Sequence, residues 1–287
     1  MKRTAVYIFA LIILTAFFPG CAREERNPLT MVKKWFILLN YSADLRPVDW
    51  KAVSEYQMAI VDPDNFPRLG NSGRKMIMIA YVSVGEAEKY RSYWKDIKDK
   101  NWIVAENPDW KDNFYVDVRS KEWRDTILDK VIPEIVRKGF KGIMMDTIDT
   151  SDMLEYEHPE KFKGADAAMV EFIKEIHERY PDLLLISNNG FSVLDKIAPY
   201  LSGMLVEDIH MMPDFAKGGY KEVPEEEYQQ RVGILLRLRS KYGLPVFVID
   251  YVSMEDKEKA RECVEKCEKL GFVPYIAQKD LNDLYKY

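Results

Sequence analysis

A single-domain α/β fold, built as a (β/α)8 barrel, is what the sequence predicts, and three observations carry it. Eight short runs are apolar without alternation, which is how strands buried on both faces read. Helix-like stretches separate them over about 250 residues, the size of such a barrel. Two of the runs, Gly142-Ile143-Met144-Met145-Asp146 and Gly203-Met204-Leu205-Val206-Glu207, end in a carboxylate. An acid there adds nothing to a core, but at a strand's C-terminal end it is well placed to meet a ligand.

The strands are expected at 35–40, 57–61, 75–82, 142–145, 183–186, 203–206, 245–249 and 271–276. A helix at 47–55 opens with Pro47, a favoured helix-start residue. In 120–138, Trp123, Ile127, Val131 and Ile135 recur at near-helical spacing, and Gly139 ends the pattern. Further helices are expected at 165–180, 192–200, 224–242 and 255–270, with Gly243 and Gly271 as C-terminal caps. The longest insertion, 86–121, carries Tyr90, Trp94, Trp102, Trp110, Phe114 and Tyr115. A long loop at a strand's C-terminal end is usually functional. The main competitor is an open doubly wound sheet. Neither GxGxxG nor GxxxxGK[ST] occurs, which disfavours dinucleotides and nucleoside triphosphates, so no cofactor is expected.

Residues 1–21 read as an export signal. Lys2 and Arg3 precede an apolar run at 5–18 that is too short for a comfortable membrane span. The run leads into Phe17-Phe18-Pro19-Gly20-Cys21, which resembles a bacterial lipoprotein cleavage box and makes Cys21 the expected lipid attachment point. Phe18 and Pro19 depart from the usual leucine and small residue, and an ordinary secretion signal is the alternative. Residues 22–33 read as a polar tether and 34–287 as the barrel. The expected location is therefore the cell envelope or the exterior, with membrane contact only through the anchor.

The 287 residues carry a net charge of −5 and no run of Lys and Arg, which argues against a nucleic-acid partner. Their 17 Tyr, 13 Phe and 6 Trp suit a core and equally a sugar-binding cleft. Cys263 and Cys267 share one helix face, where a disulfide would be strained. The three histidines lack ligand spacing, so no metal is expected.

The first polar residues after each strand form a set: Tyr41 and Asp44, Asp62 and Asp64, Tyr81 and Glu86, Asp146 and Asp149, Asn188, Glu207 and Asp208, Asp250 and Tyr251. In a barrel all of them gather on one rim. Several have bland readings. Asp149 can cap a helix, Asp62-Pro63 is a turn signal, and Asn188-Asn189-Gly190 is turn chemistry. Asp146 and Glu207 stand apart because they directly terminate central apolar strands, where a charge is costly and persists where function needs it. No GxSxG elbow and no Ser–His or Cys–His pair is evident. Acid/base and nucleophilic work therefore falls to carboxylates, and two of them can flank a glycosidic bond, one protonated and one ionised.

At these residues the chain resembles glycoside hydrolase family 114, the endo-α-1,4-polygalactosaminidase-like family. The segments that carry the resemblance are Tyr81-Val82-Ser83-Val84-Gly85-Glu86-Ala87-Glu88-Lys89-Tyr90-Arg91, Gly142 through Asp149, Phe114-Tyr115-Val116-Asp117-Val118 and Asn188-Asn189-Gly190. The resemblance implies a (β/α)8 barrel and an extracellular enzyme cutting α-1,4-linked galactosamine polymers. It implies Asp146 as nucleophile and Glu207 as general acid/base, hence a retaining mechanism. It also implies a substrate groove lined by Tyr81, Glu86, Asp117, Asn188, Asp250 and Tyr251, to which the rim adds Tyr41 and Asp149. Non-acetylated galactosamine is a cation near neutral pH, which an acidic rim attracts. The residues leave two rivals. One is a non-catalytic carbohydrate-binding barrel lipoprotein. The other is a barrel enzyme of another class using carboxylates or a divalent metal on Asp146, Asp149, Glu207 and Asp250.

Overall fold

A computed structural model describes residues 27–41, 53–66 and 75–284. The expected export signal, Cys21, Asp44 and most of the helix at 47–55 lie outside them. The eight expected strands all form, as β1 (Trp35–Leu38), β2 (Met58–Val61), β3 (Ile77–Ser83), β7 (Gly142–Asp146), β8 (Leu184–Asn188), β9 (Gly203–Glu207), β12 (Val246–Tyr251) and β13 (Val273–Ala277). They pair in parallel in that order, as one sheet curled into a nearly closed barrel. Across the remaining seam, Trp35 Nε1 donates to the Val273 carbonyl at 3.0 Å, and its ring meets Tyr275 at 5.5 Å. β1, β2 and β12 are buried along their whole length, which is why they read as solid apolar runs.

Residues 27–33, within the segment expected as a tether, pack onto the barrel. Pro28–Met31 forms a 3-10 turn, and Leu29 and Val32 are buried. A Cβ at Gly203 would stand 3.4 Å from Leu29 Cδ1, so this turn covers the end where the strands begin. Among the described residues, no helix is long and apolar enough to cross a membrane.

The insertion between β3 and β7 is ordered. Its strands β4 (Glu86–Glu88), β5 (Ile103–Glu106) and β6 (Asn113–Val116) make an antiparallel sheet with β6 central. The helix expected at 120–138 forms with an irregularity: Lys121–Thr126 and Ile132–Arg137 flank a π-helical turn at Ile127–Val131. Pro133 explains it, since its ring clashes with the carbonyl four residues back and it has no N–H to give. Beyond the insertion, the hairpin of β10 (Met211–Pro213) and β11 (Tyr220–Glu222) was not expected from the sequence, and the helix Thr150–Glu157 follows Asp149, read only as a possible cap.

Candidate active site

At the C-terminal ends of the barrel strands lies a groove of about 470 Å³. β7, β8 and β9 deliver Asp146, Asn188 and Glu207 side by side into it, each the last residue of its strand. The chain then turns at the same point three times. Thr147, Asn189 and Asp208 all have φ near +48° to +61°, the left-handed region. Asn and Asp tolerate it, but β-branched Thr147 is strained there. Compensation comes from its hydroxyl, which bonds Ser83 Oγ at 2.8 Å and accepts from the Gly85 N–H at 2.9 Å. That approach requires glycine, because a Cβ at Gly85 would lie 2.1 Å from the Thr147 carbonyl oxygen.

The centre of the groove is one amide. Asn188 Nδ2 donates to Asp146 Oδ1 at 2.8 Å and to Glu207 Oε1 at 2.7 Å. Two oxygens held by one nitrogen lie no farther apart than those distances laid end to end, 5.5 Å. The other Glu207 oxygen accepts from the Tyr251 hydroxyl. Among the described residues, neither carboxylate has a Lys or Arg ion-pair partner; Arg231 reaches only the backbone carbonyls of Glu207 and Asp208. Burial first, and then the charge of Asp146, raise the Glu207 carboxyl above its ordinary value. Burial pushes Glu86 up to about 7, while Asn107 and Thr150 donate to its Oε1. Burial and neighbouring Glu207 push Asp208 up to about 8, and its Oδ1 is buried without a partner.

These raised acids make a stability prediction. A carboxyl whose folded value exceeds its unfolded value binds more protons in the native state. Its contribution is present below the unfolded value and is lost as pH rises through the folded one. For Glu86 and Asp208 the window runs from about 4 up to about 8. The melting temperature of the substrate-free protein is expected to fall across it. Asp208→Asn, which keeps the left-handed backbone tolerable, should raise the melting temperature at the alkaline end by a few degrees and flatten the profile. Differential scanning calorimetry checks this, and an unchanged slope in the variant contradicts it.

Of the residues expected on the groove, Tyr81, Glu86, Asp146, Asp149, Asn188, Glu207 and Tyr251 line it. Three do not. Asp117 is held in a two-pronged pair by Arg119, at 2.8 and 2.7 Å, and Arg119 in turn binds the Lys161 and Lys163 carbonyls. Asp250 is 1% exposed and accepts from the backbone N–H groups of His210 and Met211, outside the groove. Tyr41 packs against the core. Unanticipated at the site is a clamp. Buried Arg91 binds Glu88 at 2.7 Å, Asp62 at 2.8 Å and Asp64 at 2.9 Å, tying β4 to the end of β2. Exposed rings of Tyr90, Trp110 and Phe215 border the groove, as sugar faces require. Its lining counts seven carboxyl groups against two lysines, with Asp62 and Glu88 already paired to Arg91. Such an arrangement can donate a proton, attack a carbon and attract cations.

A sequence profile described as glycoside-hydrolase family GH114 matches residues 21–287. A protein of Thermotoga maritima is 28% identical over 307 residues, spanning 96% of this chain and 90% of that protein. The glycoside hydrolase domain of PelA from Pseudomonas aeruginosa superposes with a TM-score of 0.75 at 25% identity, covering 88% of this chain and 97% of that domain. Ega3 of Aspergillus fumigatus, whose crystal structure is a complex with galactosamine, superposes at 0.64 and 18% identity, covering 89% and 94%, a likeness of fold.

Proposed function

The chain belongs to glycoside-hydrolase family GH114 and is a glycoside hydrolase, and we propose that it cuts an amino-sugar polysaccharide with retention of configuration. Asp146 is the nucleophile and Glu207 the general acid/base. The observation that carries this reading is the Asn188 amide holding both carboxylates, with oxygens at most 5.5 Å apart. Retaining enzymes space their carboxyl groups at about 5–5.5 Å, whereas inverting ones leave room for water at about 6.5–9.5 Å.

The steps follow from the groups present. Glu207 gives its proton to the glycosidic oxygen as that oxygen leaves, while Asp146 attacks the anomeric carbon and forms a glycosyl ester. Esterification removes the Asp146 charge, one of the causes holding the Glu207 carboxyl up. Glu207 thereby becomes a better base for the second step. It takes a proton from water, and the water oxygen displaces Asp146. Among the described residues, the lack of ion-pair partners on the two carboxylates supports a catalytic barrel over a binding-only one.

The acid-rich lining favours a cationic sugar, and the galactosamine held by Ega3 is one. Purified protein should release reducing ends from a partly deacetylated α-1,4-galactosamine polymer faster than from its fully acetylated counterpart. Release from a neutral α-1,4-glucan alone would sink the substrate assignment. Export is part of this proposal and rests on the signal-like residues 1–21. Fractionation of expressing cells checks it, and recovery from the cytoplasm contradicts it.

A further inference from the structure

Behind the groove lies a second cluster that the hydrolytic steps do not use. Side chains of His210, Asp250 and Cys267 converge there from the loop after β9, the end of β12 and the helix Lys257–Lys269. All three are at least nine-tenths buried. His210 Nδ1 stands 2.8 Å from Asp250 Oδ2, and Cys267 Sγ stands 3.7 Å from the first and 3.8 Å from the second. We propose that this triangle is a metal site for a zinc-like divalent ion, held by one imidazole, one carboxylate and one thiolate.

The geometry is that of three corners of a tetrahedron. With metal–ligand lengths of about 2.0 Å to nitrogen and oxygen and about 2.3 Å to sulfur, ligand atoms stand roughly 3.3–3.6 Å apart. Both edges to sulfur already approach this. The nitrogen–oxygen edge opens by about half an ångström when the ion replaces the hydrogen bond between them. Charge also fits: a divalent cation with one thiolate and one carboxylate is neutral, the arrangement burial tolerates.

Metal binding also moves two protons. Binding releases the Cys267 thiol proton to solvent and moves the imidazole proton from Nδ1 to Nε2. His210 Nε2 is buried without a partner, and His210 borders a cavity of about 300 Å³ that Cys263 also lines. The fourth position is left to water from that cavity. Asp250 is oriented for its task by the His210 and Met211 N–H groups on its other oxygen, at 2.6 and 3.0 Å.

The consequence reaches the catalytic pair. Tyr251, next to Asp250, bonds Glu207, and His210 lies three residues beyond Glu207. A bound ion would brace both segments from behind. This inference does not rest on the sugar specificity or the stereochemistry proposed above.

The test uses the full chain without a histidine tag, loaded with zinc and desalted. Elemental analysis should find one zinc per chain. Cobalt(II) in its place should give the near-ultraviolet thiolate-to-metal band, which reads the Cys267 bond directly in the unaltered protein. Cys267→Ser and His210→Ala should lower zinc to background while circular dichroism keeps the parent shape. Glu207→Gln should keep its zinc. No stoichiometric zinc in the parent, a cobalt complex without the thiolate band, or zinc kept by Cys267→Ser and lost by Glu207→Gln would each overturn the site.

Discussion

Replacing Asp146 with asparagine is expected to lower turnover by on the order of 10⁴-fold, about 5 kcal/mol of transition-state stabilisation. The variant should melt within a few degrees of the parent. The substitution preserves shape, and the amide oxygen can still accept from Asn188 Nδ2. What it removes is the oxygen that forms the glycosyl ester, and no neighbouring group replaces it. Asp149 is engaged by the Gly190 N–H at 3.1 Å, and Glu86 by Asn107 at 3.0 Å. A sharper form of the experiment uses Asp146→Ala with added azide. Azide enters the vacated space, attacks the anomeric carbon and yields a glycosyl azide of configuration opposite to the substrate. Appearance of that azide marks Asp146 as the nucleophile. Wild-type rates in Asp146→Asn would remove it from the mechanism.

Glu207→Gln is expected to separate substrates by leaving group. On a polysaccharide, whose leaving alkoxide needs a proton, the loss should be roughly 10³-fold. An activated aryl glycoside, whose phenolate leaves unassisted, should lose far less in its first step. The pH profile gives a second readout. Burial and Asp146 raise the Glu207 carboxyl, and the first step needs it protonated. Activity of the parent therefore declines as pH rises through the folded value, which lies above the ordinary 4.5. Glutamine does not titrate, so the variant should lose that alkaline limb. An equal loss on both substrates with the limb intact would assign the proton to another group.

The barrel, and the placing of Asp146 and Glu207 in its groove, were legible in the sequence for one reason. Parallel strands covered on both faces read as solid apolar runs, so an acid ending such a run is conspicuous. Asp250 shows where that logic stops. β12 continues through Tyr251, and neighbouring side chains on a strand point to opposite faces. Tyr251 reaches the groove, and Asp250 is turned out of it toward His210 and Cys267. An end predicted at 249 cannot reveal which of the two faces inward. Asp117 fails differently: it lies in the segment 114–118 beside the groove strands, but Arg119, two residues on, claims both its oxygens. The Arg91 clamp joins residues 27 and 29 positions apart, and the metal triangle joins residues 57 apart. Glu88 sits only three residues from Arg91, but the reach to Asp62 and Asp64 and the triangle have no local signature, because tertiary packing brings those partners together.

A retaining mechanism run by Asp146 and Glu207 fixes the configuration of the first product. Proton NMR during the opening minutes of hydrolysis of an α-linked galactosamine oligomer resolves the new reducing end before it mutarotates. Retention requires the α-anomer to appear first, with the β-anomer growing in later; a β-anomer formed first would mean inversion and rule the mechanism out.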